Sequence, residues 1–218
     1  MNSLKAILKT FLLAMCSGIC IGIGGAVYLI LENKTVGALF FTVGLFTILI
    51  FGFRLYTGMV GYLFDRLLEK KPQYPGTLLC VWLGNFAGAA LSAGALHLTR
   101  FQPVLKGAAN AVLQAKLDDT WYSLLLLGIF CGIMMFLAVD TYQKQISTNP
   151  LLACIAVVLG VSVFILAGFE HSIADMFYAV MAGNVIDMLL PILIITLGNA
   201  IGGNLIPVIR WLTKAQKQ

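Results

Sequence analysis

The charges of this chain are sparse, and the uncharged stretches between them constrain its fold more than any other feature. Six apolar runs stand out. They are Phe11 to Leu31; Val36 to Phe53, resuming past Arg54 from Leu55 to Phe64; Pro75 to Leu96; Thr120 to Val139; Ile146 to Phe169, resuming more weakly past Glu170 and His171 to Ile186; and Met188 to Ile209. A helix needs about 20 mostly apolar residues to cross the hydrocarbon of a bilayer. The runs do not alternate polar and apolar residues as barrel strands do. The sequence therefore predicts an all-α membrane protein with six transmembrane helices in a single domain over residues 1–218. Composition agrees: 11% of the 218 residues are charged and 60% are hydrophobic, with a mean hydropathy of +0.96. A water-soluble domain typically carries about 25% charged residues. These values exclude a soluble enzyme and a disordered chain. The net charge of +5 is scattered rather than gathered into a patch, which argues against a nucleic-acid partner.

Orientation follows from the bases flanking the runs. With the N-terminus inside, nine lie on the inner side (Lys5, Lys9, Arg66, Lys70, Lys71, Lys144, Arg210, Lys214 and Lys217) and four on the outer (Lys34, Arg100, Lys106 and Lys116). Both termini are expected in the cytoplasm of a cell whose inner membrane holds the chain. Lys5 and Lys9 ahead of Phe11–Cys16 resemble the start of a cleaved leader, but the apolar run continues to Leu31, too long for one. The five cysteines (Cys16, Cys20, Cys80, Cys131 and Cys154) all lie in apolar runs and form no CxxC pair; they read as small packing residues. Gly18-x-x-x-Gly22 has the spacing that lets membrane helices approach closely. Trp121, Tyr122 and Trp211 read as interfacial anchors, and His97 as an interfacial residue.

The chain also resembles itself. Gly84-Asn85-Phe86-Ala87-Gly88 is echoed by Gly198-Asn199-Ala200-Ile201-Gly202, with the asparagines 199 − 85 = 114 residues apart. Gly52-Phe53-Arg54-Leu55 is echoed by Gly168-Phe169-Glu170-His171 at 168 − 52 = 116 residues. A nearly constant offset suggests two three-helix units, at about 10–98 and 120–211. An odd number of spans per unit makes the copies inverted in the bilayer, an arrangement found in transporters and channels. The second and fifth runs are too long for straight spans: Val36 to Leu68 alone would reach about 50 Å, against a hydrocarbon thickness of about 30 Å. Both are expected to break where charge appears, at Arg54 and at Glu170–His171. Irregular backbone at that depth survives only inside protein or along a wet cavity, and ionisable residues there are functional candidates.

Gly168 to Phe177, reading GFEHSIADMF, resembles the GFEHSxANMF signature of the formate/nitrite transporter family. Leu55-Tyr56-Thr57-Gly58 is similar to that family's LFTG break, Gly128-Ile129-Phe130-Cys131 to the start of its GILCN motif, and the two GNxxG copies to its third and sixth helices. The resemblance spans essentially the whole chain. It implies an aquaporin-like fold, a homopentamer with one pore per protomer, and small monovalent weak-acid anions (formate, nitrite, hydrosulfide or similar) as cargo. It makes His171 the pore histidine, Thr57 the threonine of the second-helix break and Asn199 the asparagine of the sixth helix. Phe41, Leu45 and Phe164 fall at its apolar constrictions, and Lys116 at a lysine that draws anions to the outer mouth. Four positions depart from the family pattern. Arg54 replaces an acidic residue, Gly132 the GILCN asparagine, Asp140 a tryptophan, and Asp175 the signature's second asparagine.

Imidazole titrates near neutrality, so His171 can lend a positive charge or a proton to an anion; the alternative is a core histidine bonded to backbone. Arg54 can add positive charge beside the pore, but pairing with Glu170, its counterpart in the repeat, is the favoured expectation, since an unpaired buried charge is costly. Glu170 is thus read as structural glue, Asp140 and Asp175 as residues near helix ends at an interface. A solvated loop charge is the other reading of Lys116. No cofactor or metal is expected, because His97 and His171 stand far apart, and no P-loop or nucleotide-binding segment appears. An aquaporin-like pore for neutral solutes is the alternative function, although the chain lacks Asn-Pro-Ala.

Overall fold

The computed structural model describes residues 2–215, and Lys217, one of the inner-side bases, lies outside them. The elements are α1 (Asn2–Ile30), α2 (Lys34–Phe51), α3 (Tyr56–Met59), a 3₁₀ turn (Val60–Tyr62), α4 (Leu63–Leu68), α5 (Tyr74–His97), α6 (Gln102–Leu117), α7 (Trp121–Gln145), α8 (Pro150–Leu166), α9 (Ser172–Ala182) and α10 (Leu189–Ala215). Among the described residues there is no strand. Five helices (α1, α2, α5, α7 and α10) are long and apolar enough to cross a membrane, while α8 and α9 are shorter apolar helices in series. The outward faces are oily. Along α10, Leu189, Leu193, Leu197, Ile201, Leu205 and Ile209 recur every fourth residue and are all exposed. Such a stripe would be a liability in water and suits lipid or a neighbouring membrane helix.

The second and fifth segments break as their sequences predict, and for matching reasons. Each starts under an asparagine cap: Asn33 accepts from the Val36 amide and Asn149 from the Leu152 amide, both at 3.1 Å. Each stops at a glycine with positive φ, Gly52 at 66° and Gly168 at 70°, a conformation that costs a residue with a Cβ. The chain then leaves helical geometry. The amides of Phe53 and Phe169 return to Ile48 O and Phe164 O, both at 2.9 Å, and those of Arg54 and Glu170 cross to Leu13 O and Leu127 O, both at 3.3 Å. The breaks are thus anchored to α1 and α7 by equivalent bonds.

Those two long helices pack closely on α5 and α10. A Cβ on Gly18 would run into the Asn85 carbonyl and one on Gly88 into that of Met15; one on Gly132 would meet the Asn199 carbonyl and one on Gly202 that of Ile129. The departure at Gly132 therefore has a steric reason: no side chain fits between α7 and α10 there. Asp140, at 6% exposure, lies in the last turns of α7 and accepts from Lys144 (2.8 Å) and Arg210 (2.9 Å). This agrees with its expected place near a helix end.

The connection between the third and fourth spans carries structure that the apolar runs did not announce. Here α6 lays Leu105, Ala109 and Leu113, all fully buried, against α9 and α1. Their spacing of four puts them on one helical face, which carries Lys116 inward.

Candidate functional site

Thr57 and His171, 114 residues apart, come together where the two broken segments meet. Thr57 Oγ1 lies 2.7 Å from His171 Nε2, and both residues are buried, at 1% and 2% exposure. His171 is also the N-cap of α9, its Nδ1 accepting from the Ala174 amide at 3.1 Å. A nitrogen that accepts carries no proton, so the neutral ring holds its hydrogen on Nε2 and donates it to Thr57. Phe164 stacks on the imidazole, centroids 5.4 Å apart and planes at 16°. Phe41 meets Phe164 edge-on at 6.4 Å. The ring is thus held on both nitrogens and one face, with its N–H directed at Thr57.

Two asparagines hold the breaks in shape. Asn199 Nδ2 donates to Glu170 O (2.8 Å) and Gly128 O (2.9 Å), and its Oδ1 accepts from the Ser172 amide (3.0 Å). Asn85 does the same elsewhere: Nδ2 to Arg54 O and Ala14 O (both 2.8 Å), and Oδ1 from the Tyr56 amide (2.8 Å). Both are fully buried. Each satisfies backbone groups on either side of the break residue, which would otherwise stand unpaired. Asn199 therefore acts here through the backbone flanking His171, and Asn85, noted in the sequence only as part of a repeat, matches it.

A cavity of about 370 Å³ opens beside His171, with Phe41, Phe164, Lys116, Glu170 and Asp175 in its wall. Lys116 Nζ bonds Glu170 and lies 3.1 Å from Asp175 Oδ1. Its side chain is only 11% exposed, so the solvated-loop reading fails: α6 delivers it to the cavity. Burial works against its charge, but Asp175 and Glu170 outweigh that and hold the ammonium above its usual range. The expected Arg54–Glu170 pair does not form: the Glu170 carboxylate is bonded by Lys116 instead. Arg54 is half-buried and pairs with no carboxylate among the described residues; only its backbone joins the break. Asp175 does lie near a helix end, in the first turn of α9, but it is 1% exposed in the wall of the cavity rather than at an interface. A second cavity of about 50 Å³ is lined by Leu45 together with Leu55 and Gly58, the residues around Thr57. Phe41 and Phe164 thus border one cavity and Leu45 the other.

With this geometry in view, the comparisons with known proteins are decisive. The model of the formate/nitrite transporter family matches residues 2–212. The chain belongs to that family. It is an α-helical, multi-pass membrane protein. It is 30% identical over 186 residues to the formate channel FocA of Escherichia coli K12, covering 78% of this chain and 65% of that protein. It is 26% identical over 185 residues to FocA of Haemophilus influenzae, covering 77% and 64%. The chain thus spans a little under two thirds of the length of these relatives. A solved pentameric formate channel with formate bound superposes with a TM-score of 0.83 at 25% identity, covering 97% of this chain and 98% of that one.

Proposed function

We propose that the chain is a channel or facilitator for small monovalent weak-acid anions, formate foremost, working as a homopentamer with one pore per protomer. The reading rests on the Thr57–His171 contact of 2.7 Å, buried beneath a cavity whose wall carries a lysine. In this scheme Lys116 draws the anion to the cavity. Phe41 and Phe164 form the first constriction, and Leu45 the second, beyond Thr57. An anion passing between them exchanges water for the Thr57 hydroxyl and for the Nε2–H of His171, which it takes over from Thr57 Oγ1, while the ring itself stays fixed through Nδ1 and the Phe164 stack. Charge in hydrocarbon is expensive, so the crossing favours small anions that can be neutralised. The formate-bound relative supports the choice of cargo. The chain is taken to span the inner membrane six times as two inverted units, residues about 10–98 and 120–211, with both termini cytoplasmic. The 114- and 116-residue offsets shared by the caps, glycines and asparagine clamps support that arrangement.

Purified protein in proteoliposomes would be given formate, nitrite, hydrosulfide, acetate, lactate and chloride, with glycerol and water permeability measured alongside. The expected result is saturable uptake of formate-sized weak-acid anions, reduced in His171→Ala. Uptake no faster than in empty vesicles, or glycerol and water flux without anion flux, would overturn the reading.

A further inference from the structure

Asp175 stands in an arrangement that the transport scheme above does not use. One cation, Lys116, faces two carboxylates, Glu170 and Asp175, and all three side chains are at least nearly nine-tenths buried. If both carboxylates were ionised, the cluster would carry an uncompensated negative charge at the mouth of an anion path. That is costly to bury and repels the cargo. Hydrogen bonding points the same way. An ionised carboxylate has room for about four donors, yet Asp175 Oδ1 meets only Lys116, and its Oδ2 is buried without a partner. Ser172 Oγ, one turn earlier, is likewise unpartnered and gives it no bond. His171 cannot easily hold a second proton, because Nδ1 is taken by the Ala174 amide.

We propose that Asp175 carries a proton on its unpartnered oxygen at rest and is the acid that neutralises the incoming anion. This rests on the anion-channel reading. To act, the carboxyl turns its buried Oδ2 toward the cavity that Asp175 lines; the Oδ2–H bond then breaks, the proton passes to the carboxylate oxygen of the cargo, and the pair Asp175⁻ and neutral acid results. The acid crosses the Phe164 and Leu45 constrictions past His171, which serves as hydrogen-bond donor. A hydronium ion from water on the cavity side then reprotonates Asp175, so each anion travels with one proton. The helix N-terminus and Lys116 favour the ionised form once the proton has left, which makes the aspartate a returnable store. The other titratable groups facing it are Glu170 and His171 of the break, Asp119 after α6, Cys131 of α7, Tyr28 of α1 and Tyr178 on its own helix. His97 of α5 meets the far end of that helix at Val180 O.

Two measurements on the full chain test this. Infrared difference spectra of the purified protein at neutral pH should show a protonated-carboxyl C=O band that disappears in Asp175→Asn. Uptake of formate into vesicles carrying an internal pH dye, over about pH 5 to 8, should deliver one proton per formate in the wild type. In D175N the proton-accompanied rate should fall about tenfold. No such band in the wild type, a band that survives in D175N, or undiminished proton delivery in D175N would overturn the proposal. Absent formate flux in the wild type would instead overturn the channel reading and the transfer step with it, while the infrared band reports the bound proton independently of flux.

Discussion

Replacing Asn199 by alanine should destabilise the fold by several kcal/mol, and the structure says where the cost arises. The amide makes three hydrogen bonds. Gly128 O lies inside α7, where the helix ladder still satisfies it. The Glu170 carbonyl and the Ser172 amide have no such reserve, since they flank His171 outside helical geometry. Leaving a buried polar group unpaired costs about 1–3 kcal/mol, so two give about 2–6. Water entering from the neighbouring cavity reaches Glu170 most easily and brings the expectation to about 2–4 kcal/mol. Asn85→Ala exposes the equivalent pair around Leu55, the Arg54 carbonyl and the Tyr56 amide, but Arg54 is half-buried where Glu170 is buried, so its cost should be smaller. Asn199→Asp should be no better than alanine, because a carboxylate would face the Glu170 and Gly128 carbonyls. The assay is denaturant unfolding in mixed micelles, with formate flux on the same preparations. Asn199→Ala within about 0.5 kcal/mol of wild type, or Asn85→Ala costing clearly more, would refute the reasoning.

Thr57→Val should keep the side-chain shape yet strand the His171 Nε2–H, slowing formate flux and lowering thermal stability by about 1–3 kcal/mol; Thr57→Ser should restore both. Phe164→Leu removes the ring that stacks on His171 and meets Phe41, so vesicle assays should show acetate and lactate uptake rising relative to formate. Gly132→Ala places a methyl against the α10 backbone at Asn199 and should cost about 1–3 kcal/mol, seen as a lower unfolding midpoint. Lys116→Met leaves Glu170 beside Asp175 without a cation and should lower both stability and flux. Adding Glu170→Gln to it should recover part of the stability, the sign expected when an unpaired buried charge is the cause.

Much of the fold was legible because a bilayer permits so few solutions. Apolar run lengths gave the spans, and the excess length of the second and fifth runs, with charge inside them, located both breaks to within a few residues. His171 stood out for the same reason, as an ionisable group within an apolar run, while Thr57 was marked by the family resemblance of Leu55-Tyr56-Thr57-Gly58. What was hidden depends on which residue a helix returns to the site. Lys116 reaches Glu170 across 54 residues only because Leu105, Ala109 and Leu113 bury one face of α6. That spacing of four is weak beside runs of 20 apolar residues, so the segment read as a connection.

The misplaced Arg54–Glu170 pair shows where repeat logic stops. Quasi-equivalence relates backbone, and the devices that lead into and clamp the breaks matched: asparagine caps, left-handed glycines, crossing bonds and asparagine clamps. It does not relate charge. Equivalent positions in the two repeats face different neighbours, and only one of these two positions has a helix like α6 folded over it. Glu170 therefore gained Lys116 while Arg54 kept only its backbone bonds. The same asymmetry separates the two cavities. One, of about 370 Å³, is lined by Lys116, Asp119, Glu170, Asp175 and His171, and the other, of about 50 Å³, is walled mainly by apolar groups. In the proposed transport scheme an anion is thus recognised on one side of the Thr57–His171 contact only. Moving that recognition to the other side would take a buried cation near Leu45, where the lining includes no charged residue.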